Sequence, residues 1–148
     1  MLLHSLHFPT GGQCLLTHEA AEGWLSATWT GYIGTPEAMQ GAADYLAHVG
    51  PFHCLYLLND NLALRGPWFN SVEWLEQAWL GQAERLGLRY VAHVVQSDAH
   101  ADILTLSRLD LPECELEIQL FYDRPAAESW LRSCQQPPVR GNPGPPRL

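Results

Sequence analysis

Carboxylate and amide side chains follow the apolar stretches that are typical of strands. Asn59, Asp60 and Asn61 end one stretch, and Asp98 and Asp123 follow two later ones. Because the carboxyl ends of parallel strands meet at one sheet edge, three carboxylates there could hold Mg²⁺ for phosphoryl chemistry. The same residue types are preferred in turns and as helix N-caps. The chain also has no lysine to assist a phosphoryl site, so we favour the capping role.

Other combinations of reactive side chains do not form a recognisable motif. No serine lies in a G-x-S-x-G sequence. His53 and Cys54 are neighbours in a predicted strand, so their side chains point to opposite faces and cannot pair. His4 and His7 have a metal-ligand spacing on a helix, but Pro9 and two glycines follow and argue against a helix there. We therefore predict no catalytic residue, no metal site and no cofactor.

The remaining histidine and cysteine candidates are expected to be structural. His93 lies in the middle of an apolar stretch, which indicates a core histidine. The four cysteines, Cys14, Cys54, Cys114 and Cys134, are far apart and form no C-x-x-C pair. Reduced, buried thiols in a cytoplasmic protein are the favoured interpretation.

Composition limits the classes of partner. The chain has 148 residues, 47% of them hydrophobic and 16% charged, which predicts one globular domain over residues 1–135. Residues 136–148 are rich in proline and glycine and are expected to be a disordered tail. The net charge of −8 disfavours nucleic acid and anionic membranes as partners. Neither a signal peptide nor an apolar run of about 20 residues is found, so we expect a cytoplasmic protein without a membrane span.

Residues 52–95 are the unit around which the predicted sheet is organised. Residues 52–59 indicate a buried strand, 60–66 a loop, 67–86 a long helix and 88–95 a second buried strand, which is the size of a parallel crossover. The N-terminal residues indicate a loose segment or a short edge strand.

The flanking segments complete an α/β fold. An antiparallel hairpin and a helix precede the central unit, and a helix, an edge strand and a last helix capped by Asp123 follow it. The predicted architecture is a mixed five-stranded sheet with about four helices, in the order β-β-α-β-α-β-α-β-α.

Aromatic residues are concentrated in the predicted long helix. Trp68 and Trp79 belong to an apolar stripe at helical spacing, which indicates core packing. Phe69 and Trp74 lie off that stripe, where a large aromatic residue indicates a groove or an interface.

The element order and four short motifs resemble the SpoIIAA-like, or STAS, domains of anti-sigma-factor antagonists, whose topology is related to SEC14-like lipid-binding domains. The motifs are LNDN at residues 58–61, GPW at 66–68, WLEQAW at 74–79 and GLRYVA at 87–92, and they are similar to an uncharacterised bacterial branch of that group. The resemblance implies a non-enzymatic switch with a phosphorylated serine after the central strand. The Asp-Ser-Ser/Thr-Gly signature is absent here, and Ser71 is the nearby hydroxyl.

These observations support two main hypotheses. The first is a STAS-like regulatory module that binds another protein, with a two-fold homodimer as a further possibility; its binding residues would be Asn59, Asp60, Asn61, Gly66, Trp68, Phe69 and Trp74. The alternative is a SEC14-like protein that holds a small apolar ligand in an aromatic-lined pocket between the long helix and the sheet.

Overall fold

The computed structural model describes residues 1–66, 79–96 and 116–136. Within those ranges it contains six strands and three α-helices. In chain order these are β1 (Leu2–His7), β2 (Gln13–Glu19), β3 (Trp24–Tyr32), α1 (Thr35–Val49), β4 (Tyr56–Arg65), α2 (Leu80–Arg85), β5 (Tyr90–Val94), β6 (Glu117–Phe121) and α3 (Arg124–Gln135).

The strands form one mixed sheet in the order β1-β2-β3-β4-β5-β6. The first three strands pair antiparallel, and β3 to β6 pair parallel. The predicted hairpin is β2–β3, and Gly23 closes its turn with φ +84°. The predicted number of five strands is one too low, because the N-terminal residues form the edge strand β1 against β2.

The two faces of the sheet are covered by different helices. Leu57 and Val91 belong to the larger core, which includes residues of α1 and α2. Leu58 and Ala92, one position further along each strand, belong to a smaller core with Leu131 of α3. This alternation explains why the central strands are apolar on both faces, as the sequence indicates.

The predicted loop at residues 60–66 is wrong, because β4 continues through Arg65. The end of β3 supplies the pairing partners, with Tyr32 opposite Arg65. The register shifts between Thr28 and Thr30, so β4 has an extra residue there. The Asp60 carboxylate accepts a hydrogen bond from the backbone N–H of Leu62 at 3.0 Å within this bulge. The polar residues that indicated a loop therefore form an irregular point inside a strand.

Close packing joins α1 to the sheet. A Cβ atom at Gly41 of α1 would overlap with Cη2 of Trp29 on β3, so only glycine allows this close approach. The indole N–H of Trp79 donates to the Ala42 carbonyl oxygen at 2.9 Å. Trp79 is thus a core residue, as its position in the apolar stripe predicts.

Several predictions concern residues outside the described ranges. These are most of the long helix, the helix predicted at residues 99–109, and residues 137–148 of the predicted tail. In the described part, the last helix begins as expected, because the Asp123 side chain accepts from the Ala126 N–H at 2.8 Å. Strand β6 lies at the edge of the sheet as predicted.

Candidate functional site

Asn59 of β4 is the centre of a buried polar cluster that faces α1 and α2. Its Oδ1 accepts from the Trp29 indole N–H at 2.8 Å. Its Nδ2 lies 3.0 Å from Asn61 Oδ1 and 2.9 Å from His93 Nδ1. Asn59, Asn61 and His93 are each less than 10% exposed. The amide therefore uses its acceptor and both of its N–H groups.

These contacts define the protonation state of His93. An indole nitrogen only donates, so Asn59 must present its oxygen to Trp29 and its NH₂ group to His93. Nδ1 of His93 is then an acceptor, which places the imidazole proton on Nε2. Burial lowers the pKa of His93 from 6.5 to about 4, so the ring is neutral at pH 7.

A cavity of about 70 Å³ lies against this cluster, between the sheet and helices α1 and α2. A single water needs roughly 10–15 Å³, so the space admits several waters or a narrow chain. Its described walls are mainly apolar and take residues from all six strands: Leu6, Cys14, Ala27, Leu57, Val91 and Ile118 represent β1 to β6 in order. Burial raises the pKa of Cys14 to about 12, so this residue contributes an uncharged thiol to the cavity wall. This is the feature that the ligand-binding hypothesis requires.

A second polar group lines the cavity where α1 meets β1. The Nε2 atom of His4 lies 2.8 Å from Oδ2 of Asp44, and both residues line the cavity. The ring of His4 stacks on that of His48, with 4.2 Å between ring centroids. The side chains of His4 and Asp44 are 30% and 20% exposed. The cavity therefore approaches solvent beside a carboxylate–imidazole pair.

Asp60 lies on the opposite face of the sheet from Asn59, because successive strand residues alternate. Its Oδ2 accepts from Arg124 of α3 at 3.1 Å. The same guanidinium lies 3.0 Å from Glu19 Oε2 and 3.0 Å from Glu128 Oε2. One arginine thus links β2, β4 and α3 through three carboxylates.

The predicted site residues are separated by this arrangement. Asn59 lines the cavity and donates to Asn61, whereas Asp60 belongs to the Arg124 cluster. Gly66 follows β4 with φ +99°, which favours glycine. Trp68, Phe69, Trp74 and the weak phosphorylation candidate Ser71 lie outside the described residues.

Of the three carboxylates that could hold Mg²⁺ at the sheet edge, the two that the structure describes have other contacts. Asp60 binds Arg124, and Asp123 caps α3; Asp98 lies outside the described ranges. Among the described residues, no group of three or more His, Cys, Asp or Glu side chains is arranged to hold a metal ion. His4 bonds to Asp44 while His7 bonds to Ser5.

Sequence reasoning missed three of the residues that organise these clusters. Trp29, Asp44 and Arg124 belong to no local motif that would mark them in the sequence. His93 was expected to be a core histidine, and it is buried at 2% exposure with a hydrogen bond to Asn59. Asn59 and His93 lie directly opposite each other on adjacent central strands, a pairing that local sequence does not specify.

The chain matches no protein-family model and no curated protein. Among solved structures, it is similar to an anti-sigma factor antagonist from Mycobacterium paratuberculosis, with a TM-score of 0.51 and 18% identity over 86% of this chain and 99% of that chain. It also aligns with an uncharacterized DUF3478-family protein with a SpoIIAA-like fold from Shewanella loihica PV-4, with a TM-score of 0.49 and 16% identity over 82% and 94% of the two chains.

The chain therefore shares the fold of that anti-sigma factor antagonist, in agreement with the fold that the resemblance in the sequence implies. At 18% identity, the similarity to the antagonist concerns the fold. Among the described residues, none of the helices is both long and apolar enough to cross a membrane.

Proposed function

We propose that this chain is a non-enzymatic regulatory module that acts in the cytoplasm by binding another protein. The supporting observation is the fold it shares with an anti-sigma factor antagonist. The proposal does not include a phosphorylation switch, because the sequence lacks the serine signature of the antagonists.

Exposed apolar side chains suggest where a partner would bind. Tyr32, Leu62 and Tyr122 are 45%, 37% and 50% exposed. Tyr32 is the last residue of β3, Leu62 is in the second half of β4, and Tyr122 directly follows β6. Because these strands are parallel, the three residues lie towards the same end of the strands. Large exposed aromatic and aliphatic side chains are frequent contacts in protein interfaces.

A surface variant with a matched control tests this proposal. We expect the triple change Tyr32→Ser, Leu62→Ser and Tyr122→Ser to abolish retention of a specific partner in affinity capture from the native host. Leu55→Ser is the control, because Leu55 is 42% exposed before the start of β4, at the opposite edge. Light scattering on the purified variants reports whether the partner is a second copy. A partner retained equally by both variants would contradict this surface, and a wild-type chain without any specific partner would contradict the function.

A second candidate function is supported by the cavity. It has largely apolar walls, partly aromatic through Trp29, Tyr45 and Trp79, and a few fixed polar groups. Small-molecule sites in proteins commonly combine these features. We therefore also propose that the chain holds a small apolar ligand between the sheet and its helices.

A further inference from the structure

We propose that residues 137–140 of this chain dock on an aromatic surface beside α3, where Arg140 forms an ion pair with Glu117. The surface consists of Tyr56, Tyr90 and Trp130. It lies at the amino ends of β4 and β5, away from the partner surface proposed above, so the inference goes beyond the proposed function.

The aromatic surface is a row of three rings. Tyr56 and Tyr90 are the first residues of β4 and β5, and their rings stack with 5.4 Å between centroids and an interplanar angle of 13°. The ring of Trp130 on α3 packs edge-on against Tyr90, with 6.1 Å between centroids. All three side chains are only partly buried, so each remains accessible to a further group. Aromatic-lined grooves are the docking sites that proline-rich segments in the polyproline II conformation use.

The segment that follows α3 has the matching composition. Residues 137–140 are Pro-Pro-Val-Arg, and residues 137–148 include five prolines, two arginines and no acidic residue. All sixteen acidic residues of the chain therefore precede this segment, so its charge is opposite to that of the domain. Polyproline II has no internal hydrogen bonds, so docking does not require the periodic patterning that the segment lacks. For residues 137–140 the proposal replaces the expectation of a disordered tail.

The end of α3 directs the chain towards this surface. The Tyr56 hydroxyl donates to the carbonyl oxygen of Cys134 at 3.5 Å, so the last turn of α3 lies against the row of rings. Gln136, which follows α3, has φ −76° and ψ 143°, the backbone conformation of polyproline II. At about 3.1 Å per residue, a polyproline II segment places Arg140 roughly 12 Å beyond Gln136.

Glu117 supplies the carboxylate for Arg140. It lies directly opposite Tyr90 on the edge strand β6, so the two side chains share the face that α3 covers. Glu117 is exposed, and no described residue forms an ion pair with it. Burial and the charge of Glu117 raise the pKa of the Cys134 thiol, which is consistent with a carboxylate near the end of α3. From β4 to β6 is two strand spacings, roughly 10 Å, a distance that residues 137–140 can cross.

Nuclear magnetic resonance on the full chain tests the docking. We expect backbone order parameters well above 0.6 for Val139 and Arg140, because values below about 0.6 indicate a flexible backbone. We also expect nuclear Overhauser contacts from the side chains of Pro138 and Val139 to the rings of Tyr56 and Tyr90. Order parameters below about 0.6 at both positions would overturn the proposal, and so would an ordered segment without contacts to these rings.

A charge exchange tests the ion pair. We expect Glu117→Arg alone and Arg140→Glu alone to lower both order parameters below about 0.6, because each places like charges together, and the double variant to restore them. Arg147→Glu is the control, because this arginine is seven residues further along the same segment and should leave the order parameters unchanged. Urea unfolding checks that the variants fold. A double variant as mobile as the single variants, or an equal effect of Arg147→Glu, would overturn the pairing with Glu117.

Discussion

Lowering the pH should destabilise the protein through His93. The imidazole is buried, and its Nδ1 accepts from the amide of Asn59 at 2.9 Å. Burial lowers its pKa from 6.5 to about 4 in the folded chain. The unfolded chain therefore binds a proton between pH 6.5 and pH 4 that the folded chain does not bind. Stability attributable to His93 is complete above that window and falls as the pH falls through it.

The expected magnitude follows from the two pKa values. Each pKa unit corresponds to about 1.4 kcal/mol, so the full loss below pH 4 is about 3 kcal/mol. At pH 5.5 the loss is about 1.4 kcal/mol, and at pH 4.5 it is about 2.5 kcal/mol. Protonating Nδ1 would also turn it from an acceptor into a donor that faces the NH₂ group of Asn59, which acts in the same direction.

Urea unfolding at several pH values between 7.5 and 4.5 measures this effect. Carboxylates also titrate in that range, so the informative quantity is the difference between the wild type and His93→Gln. We expect the unfolding free energy of the wild type to fall by about 2.5 kcal/mol more than that of the variant on going from pH 7.5 to 4.5. Parallel pH profiles for the two proteins would refute the reasoning, because they would show that His93 titrates equally in the folded and unfolded chains.

Two substitutions test the polar clusters on the two faces of β4. Asn59→Leu keeps the side-chain size but removes three buried hydrogen bonds. We therefore expect the free energy of unfolding, measured in urea, to fall by about 2–4 kcal/mol. A decrease below about 1 kcal/mol would contradict the role of this amide. Arg124→Gln leaves the carboxylates of Glu19, Asp60 and Glu128 without their shared cation. Because the Arg124 side chain is partly exposed, we expect the free energy of unfolding to fall by roughly 1–3 kcal/mol. Arg132→Gln is the control, because Arg132 is more exposed, and it should lower the free energy of unfolding less. Equal decreases for the two variants would show that the Arg124 cluster stabilises the fold no more than a surface ion pair does.

The fold was predictable because hydrophobic patterning reports on two-sided burial. The apolar residues on both faces of residues 55–58 indicate a strand that is covered on both sides or lies in the middle of the sheet. The structure places α1 and α2 on one side of the sheet and α3 on the other. β1 was harder to assign, because its residues are only partly buried and its pairing with β2 depends on a partner that local sequence does not specify.

The positions of the charged partners could not be predicted from local sequence. Arg124 is 64 residues from Asp60 and 105 from Glu19, and no short motif connects them. The same holds for Asp44, which is 40 residues from His4. These pairs follow from which helix covers which face, so they become visible only once the packing is known.

The continuation of β4, in contrast, follows from its neighbour β3 once the pairing of the two strands is known. β3 is nine residues long, Trp24–Tyr32, and a strand of that length in the middle of a sheet needs partners along its whole length. The pairing begins with Leu25 opposite Leu57, and the end of β3 then lies opposite residues 63–65, which belong to the predicted loop. Once those residues are in a strand, Asn59 and Asp60 must point to opposite faces. A run that looks like a single polar site in the sequence is thereby divided between the cavity wall, which includes Asn59, and the Arg124 cluster, which includes Asp60.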